Sequence, residues 1–307
     1  MKIIKTATWL IISILALPVI LYYLGDFPGA KEWIMIQKLL WICLFSVSLT
    51  FMTSELTRNY SQVDKLWSLL PIIYVWLIAW ESQWNSRLMI MSFLVMIWGI
   101  RLTWNFALKG AYRWKFWEGE EDYRWKVLRS RPEFQKSWKW RLFNLLFICG
   151  YQNILILMFC LPTVVAMQKK ETPLNGMDVL IALSMLGFIL MEAIADRQQW
   201  NYQKAKRVWL SSGQVTPMIY QRGFLQEGLW ARSRHPNYFA EQAIWFCFYL
   251  FSVSSGGNWI NWSLTGCLLL ILLFQGSANF SEEISAGKYP EYNTYQQQVP
   301  KFIPRIF

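Results

Sequence analysis

The sequence has little charge and almost no histidine. Only 16% of its 307 residues are charged and 55% are hydrophobic, whereas a soluble domain carries about a quarter charged residues. His235 is the single histidine, which excludes a metal site made of several histidines, and no carboxylate cluster indicates another kind of metal site. The five cysteines lie in apolar runs without a CxxC pair, and we interpret them as small apolar residues. These shortages favour a membrane protein over a soluble one.

Long apolar runs take the place of the missing charge. A membrane-spanning helix needs about 20 mostly apolar residues. Such runs occur near residues 7–24, 36–56, 66–80, 88–108, 142–166, 178–195, 237–256 and 259–276. The third run is short and contains Pro71, so we expect it to be tilted, broken or interfacial. The sequence therefore predicts an all-α integral membrane protein, a polytopic bundle of seven or eight transmembrane helices, with both termini cytosolic if there are eight.

The basic residues are distributed unevenly between the two sides that eight spans would define. One side carries 24 lysines and arginines and the other carries five, and the positive-inside rule makes the richer side cytosolic. The net charge of +11 then reflects topology and contact with lipid headgroups, not nucleic-acid binding. We predict N-terminal membrane helices in 1–60, followed by one integral domain in 61–307 with cytosolic loops at 109–141 and 197–236.

Ionisable side chains at the ends of the predicted spans are the first indication of a site, because such groups are costly in a membrane and commonly functional. They fall at one depth, the cytosolic helix ends, and are Asp64, Arg101, Glu192, Asp196, Glu241, Glu282 and Glu283. Glu192 and Asp196 are four residues apart, as Asn237 and Glu241 are, so each pair shares a helix face. We interpret Glu282 and Glu283 as a solvated helix end. The alternative is that these charges only anchor helices or pair with loop arginines.

The segment 232–241, Arg-Ser-Arg-His-Pro-Asn-Tyr-Phe-Ala-Glu, is the densest polar motif. Pro236 suits the first turn of a helix, and Arg234 and His235 precede that turn. A helix N-terminus flanked by arginine and histidine attracts anions. The motif therefore predicts an anion site, with a capped helix start as the alternative.

With Gly228-Leu229-Trp230 before it, this segment resembles the C-terminal domain of the steroid 5α-reductase superfamily. It is most similar to a branch of bacterial and protist membrane proteins grouped with those reductases. Further matching elements, in chain order, are Asp64 with Trp67, Arg101-Leu102, Glu121-Asp122-Tyr123-Arg124, Glu192 to Gln198, Tyr292 with Tyr295, and Phe302-Ile303-Pro304. The resemblance extends over residues 55–307, and its specificity lies in the ordered set, not in any one element.

The resemblance implies a membrane reductase that takes NADPH from the cytosol and reduces a carbon–carbon double bond conjugated to a ketone. It implies cofactor contacts at Arg101, Glu192, Asp196, Arg234, His235, Asn237, Tyr238 and Glu241. Asp64 falls where the reductases carry a glutamate that contacts the substrate ketone. A carboxyl group polarises a carbonyl only when it is protonated, which burial favours. Trp98 stands where the reductases carry a tyrosine, and Phe274, Gln275 and Ala278 occupy the region of their last-helix arginine and histidine.

Two other classes remain open. Membrane methyltransferases of the isoprenylcysteine carboxyl type, which bind S-adenosylmethionine, have a similar Arg-His-Pro-x-Tyr helix start, later Glu-Glu, Tyr-x-x-Tyr and Ile-Pro elements, and usually a shorter chain. The elements at Asp64, Arg101 and Glu121 favour the reductase branch. A non-catalytic lipid-binding or transport protein of the same fold is favoured by Trp98. In every case we expect a multi-pass membrane protein whose site faces the cytosol and whose partners are a lipophilic small molecule and membrane lipids.

Overall fold

The computed structural model of the protein describes residues 2–23, 25, 27–115, 117–212 and 217–305, which form helices and no strands. A helix satisfies its own backbone N–H and C=O groups, which lipid cannot do, so long apolar runs become helices. The α-helices are α1 (Lys2–Tyr22), α2 (Ala30–Thr57), α3 (Gln62–Leu66), α4 (Leu70–Glu81), α5 (Ser86–Leu108), α6 (Tyr123–Arg129), α7 (Ser137–Phe143), α8 (Gln152–Cys160), α9 (Pro162–Gln168), α10 (Gly176–Ser211), α11 (Met218–Gln221), α12 (Pro236–Ser254), α13 (Leu264–Lys288) and α14 (Tyr292–Gln298). A π-helical segment, Asn144–Tyr151, joins α7 to α8.

Seven helices in the described part of the chain are long and apolar enough to cross a membrane, which confirms the polytopic all-α prediction. They are Ile4–Tyr22, Ala30–Thr57, Gln62–Glu81, Ser86–Leu108, Ser137–Gln168, Gly176–Ser211 and Leu264–Lys288. The third is broken into α3 and α4, and Pro71 lies in the first turn of α4. The predicted run at 237–256 forms α12, which is not among the seven because polar residues such as Glu241 and Gln242 occupy its first turns.

The helix α10 continues well beyond its apolar run. Its 36 residues extend about 54 Å, compared with about 30 Å for the hydrocarbon core of a bilayer. Residues 197–211 contain no proline or glycine, so nothing in this stretch ends the helix. The prediction that Glu192 and Asp196 close a helix before a loop was wrong, because both lie within one continuous helix.

The chain forms two compact units. Unit 1 comprises Met1–Leu183 and Trp245–Leu272, and unit 2 comprises Ser184–Ile244 and Leu273–Phe307. An aromatic group lies in the core of unit 1, where the ring of Trp245 is 4.9 Å from that of Trp98 and 4.0 Å from that of Phe159. A smaller aromatic cluster in unit 2 is formed by Phe224, Tyr292 and Tyr295.

A buried ion pair connects α5 to α10 within unit 1. Nε of Arg87 lies 2.8 Å from Oδ1 of Asp178, and Nη2 lies 2.9 Å from Oδ2. Both side chains are only 1% exposed, and the guanidinium also donates to the carbonyls of Thr172 and Pro173. Arg87 is at the opposite end of α5 from Arg101. From the sequence, the ionisable groups were placed at one membrane depth, and this pair at the other end of α5 was not predicted.

Candidate functional site

The part of the predicted site in unit 1 is built around Asp64, which lies on the short helix α3. Nε1 of Trp125 donates to Oδ2 of Asp64 over 3.0 Å. The backbone N–H of Asp122 donates to Oγ of Ser61 over 2.9 Å. The Glu121 carboxylate accepts from the backbone N–H of the neighbouring Tyr60. The two sequence elements that carry the family resemblance here, at 61–64 and 121–124, are therefore in direct contact.

The segment after α5, which is part of the predicted cytosolic loop at 109–141, folds over α3. Nζ of Lys65 donates to the carbonyl of Glu118 over 2.8 Å, and the hydroxyl of Tyr112 donates to the carbonyl of Lys65 over 2.9 Å. The side chain of Lys65 is fully buried. Gln62 adds a hydrogen bond from its amide to the carbonyl of Trp117. These contacts fix α3, and with it the position of Asp64.

Asp122 caps α6 and is held as a carboxylate by Arg124. Its Oδ2 lies 2.7 Å from Nη2 of Arg124, and its Oδ1 accepts from the Arg124 backbone N–H over 2.9 Å. Burial alone would raise the pKa of Asp122, but the charge and hydrogen bonds of Arg124 outweigh burial, so the pKa lies below its ordinary 3.8. An anionic Asp122 thus lies close to the predicted catalytic Asp64.

The other two positions of interest in unit 1 lie on α5. Arg101 is half-buried there. Trp98 is completely buried and packs edge-to-face against Trp245. An indole in this position fills the core and has no acidic proton to give, so the structure assigns Trp98 a packing role.

The part of the predicted site in unit 2 contains a buried ionic cluster centred on Glu282. Nε of Arg234 lies 2.7 Å from Oε1 of Glu282, and the amide of Gln296 donates to Oε2 over 2.8 Å. Arg234 also donates to the backbone carbonyls of Gln296 and Val299. The interpretation of Glu282 as part of a solvated helix end was wrong: α13 continues to Lys288, and Glu282 is 4% exposed. Its carboxylate is the anion that Arg234 binds in this structure.

His235 completes this cluster. Its Nε2 lies 3.0 Å from Oε1 of Glu282, and its ring stacks on that of Tyr238 at 5.2 Å. Burial lowers the pKa of His235 below its ordinary value, and this effect outweighs the opposing effect of Glu282. A neutral imidazole beside a carboxylate must donate its Nε2 proton. The ring of Tyr238 also packs edge-to-face against Phe274.

The C-terminal segment fixes the start of α12. The backbone N–H groups of Arg234 and His235 donate to the carbonyls of Pro300 and Lys301 over 2.9 and 3.0 Å. The hydroxyl of Tyr295 donates to the carbonyl of Trp230. The Tyr-x-x-Tyr element and the residues just before the Phe-Ile-Pro element therefore hold the segment 230–235, which leads into α12, in place.

A second polar group in unit 2 connects α10 to the first turn of α12. Nδ2 of Asn237 donates to Oδ1 of Asp196 over 3.2 Å. Oδ1 of Asn237 and Oε1 of Gln199 are buried and have no hydrogen-bond partner in the part of the chain that the structure describes. Oε1 of Gln198 accepts from the backbone N–H of Leu229, beside Gly228, whose φ of +61° favours glycine. Buried acceptors without donors cost free energy and are typical of ligand sites.

The predicted site residues are distributed over both units. Unit 2 contains Glu192, Asp196, Arg234, His235, Asn237, Tyr238 and Glu241, and unit 1 contains Asp64 and Arg101. Glu192 and Glu241 are both buried. Sequence reasoning missed Trp125, Gln199, Gln296 and the buried position of Glu282. Of these residues, only Glu282 belonged to a motif noted in the sequence, the Glu282-Glu283 element.

The fold defines a multi-pass α-helical membrane protein. Residues 50–299 match the family DUF1295, described as a protein of unknown function, and the chain belongs to this family. It is 37% identical over 261 residues to an uncharacterized protein of Schizosaccharomyces pombe, a match that covers 81% of this chain and 74% of the yeast protein. No solved structure matches the chain.

Proposed function

We propose that the protein is an NADPH-dependent membrane reductase that acts on a carbon–carbon double bond of a lipid-like enone, and that its family is a branch of the steroid 5α-reductase superfamily. The family match at residues 50–299 overlaps almost completely with the stretch that carries the reductase-like elements. The contact between the elements at 61–64 and 121–124 supports their reading as one functional set.

The observation that carries the proposal is the pair of unpartnered acceptors in unit 2. Oδ1 of Asn237 and Oε1 of Gln199 are buried beside Asp196 without a donor among the described residues. The carboxamide, ribose and adenine groups of NADPH all present N–H or O–H donors, so these residues fit the cofactor. In this proposal Asn237, Gln199 and Asp196 orient the cofactor, which supplies a hydride to the substrate.

Arg234, His235 and Glu282 act indirectly in this scheme. Their side chains bind one another, so they are positioning residues that fix the first turn of α12 and thereby Asn237. In this proposal Arg234 and His235 therefore do not contact the cofactor directly, as was predicted from the sequence, but hold Asn237 in position to do so.

Asp64 is the proposed group that polarises the substrate ketone. Trp125 donates to its Oδ2, and in this proposal the protonated carboxyl group donates a hydrogen bond to the carbonyl oxygen of the substrate. A proton donor in this position stabilises the negative charge that develops on that oxygen when hydride reaches the conjugated carbon. Trp98 does not contribute, because it is an indole packed in the core.

Binding of cofactor to the full-length protein in detergent tests the proposal. NADPH is expected to raise the thermal unfolding temperature of the wild type and to quench tryptophan emission. Asn237→Ala is expected to weaken this binding about tenfold, since it removes a buried acceptor. Asn201→Ala removes an exposed amide from α10 and serves as the matched control. An unchanged NADPH affinity in Asn237→Ala would show that the cofactor lies elsewhere.

Asp64→Asn tests the chemical step separately. Asparagine keeps an oxygen that accepts from Trp125 but has no acidic proton, so reduction of a panel of enones should fall at least about 100-fold. NADPH should still shift the unfolding temperature of this variant. Wild-type rates in Asp64→Asn would exclude Asp64 as the polarising group.

A methyltransferase is the second candidate, and one observation favours it. The Arg-His-Pro and Glu-Glu elements that such enzymes share are in contact in unit 2 through Arg234 and Glu282. Gln296, which follows Tyr295 of the Tyr-x-x-Tyr element, forms hydrogen bonds with both of these side chains. The same thermal-shift assay distinguishes the two candidates. A shift with S-adenosylmethionine and none with NADPH would replace the reductase by the methyltransferase.

A further inference from the structure

A cavity of about 530 Å³ lies in unit 1 at the ends of two membrane-spanning helices, and none of the residues assigned to the reaction lines it. The C-terminal end of α2 and the N-terminal end of α7 both contribute to its lining. Three arginines line it, Arg58, Arg129 and Arg141, against one carboxylate, that of Glu55. Its position at the helix ends corresponds to the level of the lipid headgroups.

The charges of the cavity are only partly neutralised by the protein. Nε of Arg141 lies 3.1 Å from the Glu55 carboxylate, and Arg129 lies 3.7 Å from Glu121 and over the ring of Tyr60 at 5.1 Å. Arg58 is exposed, and its side chain makes no hydrogen bond or ion pair with any residue that the structure describes. The cavity therefore attracts an anion.

Two local features indicate that the cavity is more than a solvated charged surface. Arg58 ends α2 with a φ of +58°, a left-handed conformation that an arginine adopts at a cost and that glycine normally supplies at this position. Such strained backbone is concentrated at functional sites. Trp140, which lines the cavity, has a buried indole Nε1 with no acceptor among the described residues. A phosphate oxygen is a suitable acceptor for such a donor.

We propose that this cavity binds the phosphate of an anionic glycerophospholipid. The same short helix that brings Ser137 and Arg141 to the cavity also carries Trp138 and Leu142, which are 59% and 47% exposed. In a membrane, exposed apolar side chains at this position contact acyl chains. The surface for the lipid tails therefore lies next to the cavity for the headgroup. The arginines supply charge-assisted hydrogen bonds to the phosphate, and their excess over carboxylate selects an anionic lipid over a zwitterionic one.

Lipid titration of the delipidated full-length protein in detergent tests the proposal. The probes are a phosphatidylglycerol, a phosphatidylcholine with the same acyl chains, and inorganic phosphate, with binding followed by thermal shift and native mass spectrometry. Arg58→Gly removes the charge and suits the backbone, since glycine adopts a φ of +58° without strain. Arg141→Gln removes a second charge. Lys139→Gln, two residues before Arg141 and outside the lining, is the matched control.

The wild type is expected to bind phosphatidylglycerol more tightly than phosphatidylcholine. Arg58→Gly and Arg141→Gln should each weaken phosphatidylglycerol binding about fivefold, and Lys139→Gln should change it less than about twofold. Equal affinity of wild type, Arg58→Gly and Arg141→Gln for phosphatidylglycerol would overturn the proposal. The proposal would also be overturned if inorganic phosphate, at the same concentration as the lipid, produced the same thermal shift, because the site would then bind a free anion.

Discussion

His235 and Glu282 are in contact in the interior of unit 2, with Nε2 of the histidine 3.0 Å from Oε1 of the glutamate, although they are 47 residues apart in the chain. Arg234 donates to the same oxygen over 2.7 Å. The guanidinium neutralises the carboxylate, so the buried imidazole has no need to be charged and acts as a neutral donor. This arrangement makes Glu282 the common acceptor for the two side chains that precede α12.

Removing the charge of Glu282 should destabilise the fold strongly. Glu282→Gln leaves the guanidinium of Arg234, which is 8% exposed, without a counter-charge, and breaking a buried pair in this way costs about 3 kcal/mol or more. The measurement is thermal or denaturant unfolding in detergent. Glu283→Gln, at the exposed neighbouring position, should change stability by less than about 0.5 kcal/mol. Similar losses in both variants would contradict a special role for Glu282.

The lowered pKa of His235 predicts a loss of stability in mild acid. The unfolded histidine titrates near its ordinary 6.5, whereas burial keeps the folded one neutral at lower pH. The contribution of His235 is therefore complete above about pH 6.5 and is lost as pH falls towards the folded pKa, by at most about 1.4 kcal/mol per pH unit. Unfolding of the wild type and of His235→Gln between pH 7.5 and 5.5 measures it. The variant should lack this part of the pH dependence, and identical slopes would refute the assignment.

The Arg87–Asp178 pair should matter far more than an exposed pair of similar geometry. Asp178→Ala leaves Arg87 buried without a counter-charge, at a cost of about 3–5 kcal/mol. Lys38 and Glu81 are 2.7 Å apart, compared with 2.8 Å for the buried pair, but both are more than 40% exposed, so Glu81→Ala should cost less than about 1 kcal/mol. Unfolding midpoints of the two variants give the comparison. A larger effect at Glu81 would mean that burial does not set the strength of these pairs.

Gly266 should tolerate no side chain. A Cβ there would lie 2.3 Å from the carbonyl of Met158, so Gly266→Ala must push α13 away from α8, at a cost of about 1–3 kcal/mol. Gly187 on α10 has nothing within 4 Å of the corresponding position, and Gly187→Ala should stabilise that helix by about 0.5–1 kcal/mol. Opposite signs of the two changes in unfolding temperature are the expected result, and a stabilised Gly266→Ala would show that these helices do not approach so closely.

Helix positions were predictable because the information is local. Runs of about 20 apolar residues specify a spanning helix wherever they occur, and Pro71 correctly marked the broken third span. The end of α10 was missed because the helix continues through a polar stretch in which hydropathy gives no signal. The helix α12 is not among the seven apolar spans because its first turns are polar.

The sequence by itself determined the class of protein, the approximate helix positions and the set of polar residues worth examining. Only the tertiary structure decided which of them meet. The partner of Asp64 is Trp125, 61 residues away, and that of Arg234 is Glu282, 48 residues away. Hydropathy and helical spacing report on neighbours within a few turns, whereas such contacts depend on how distant segments pack. For that reason the motif at 232–241, predicted to be open to an external anion, contains an arginine that the structure pairs with a carboxylate of its own chain.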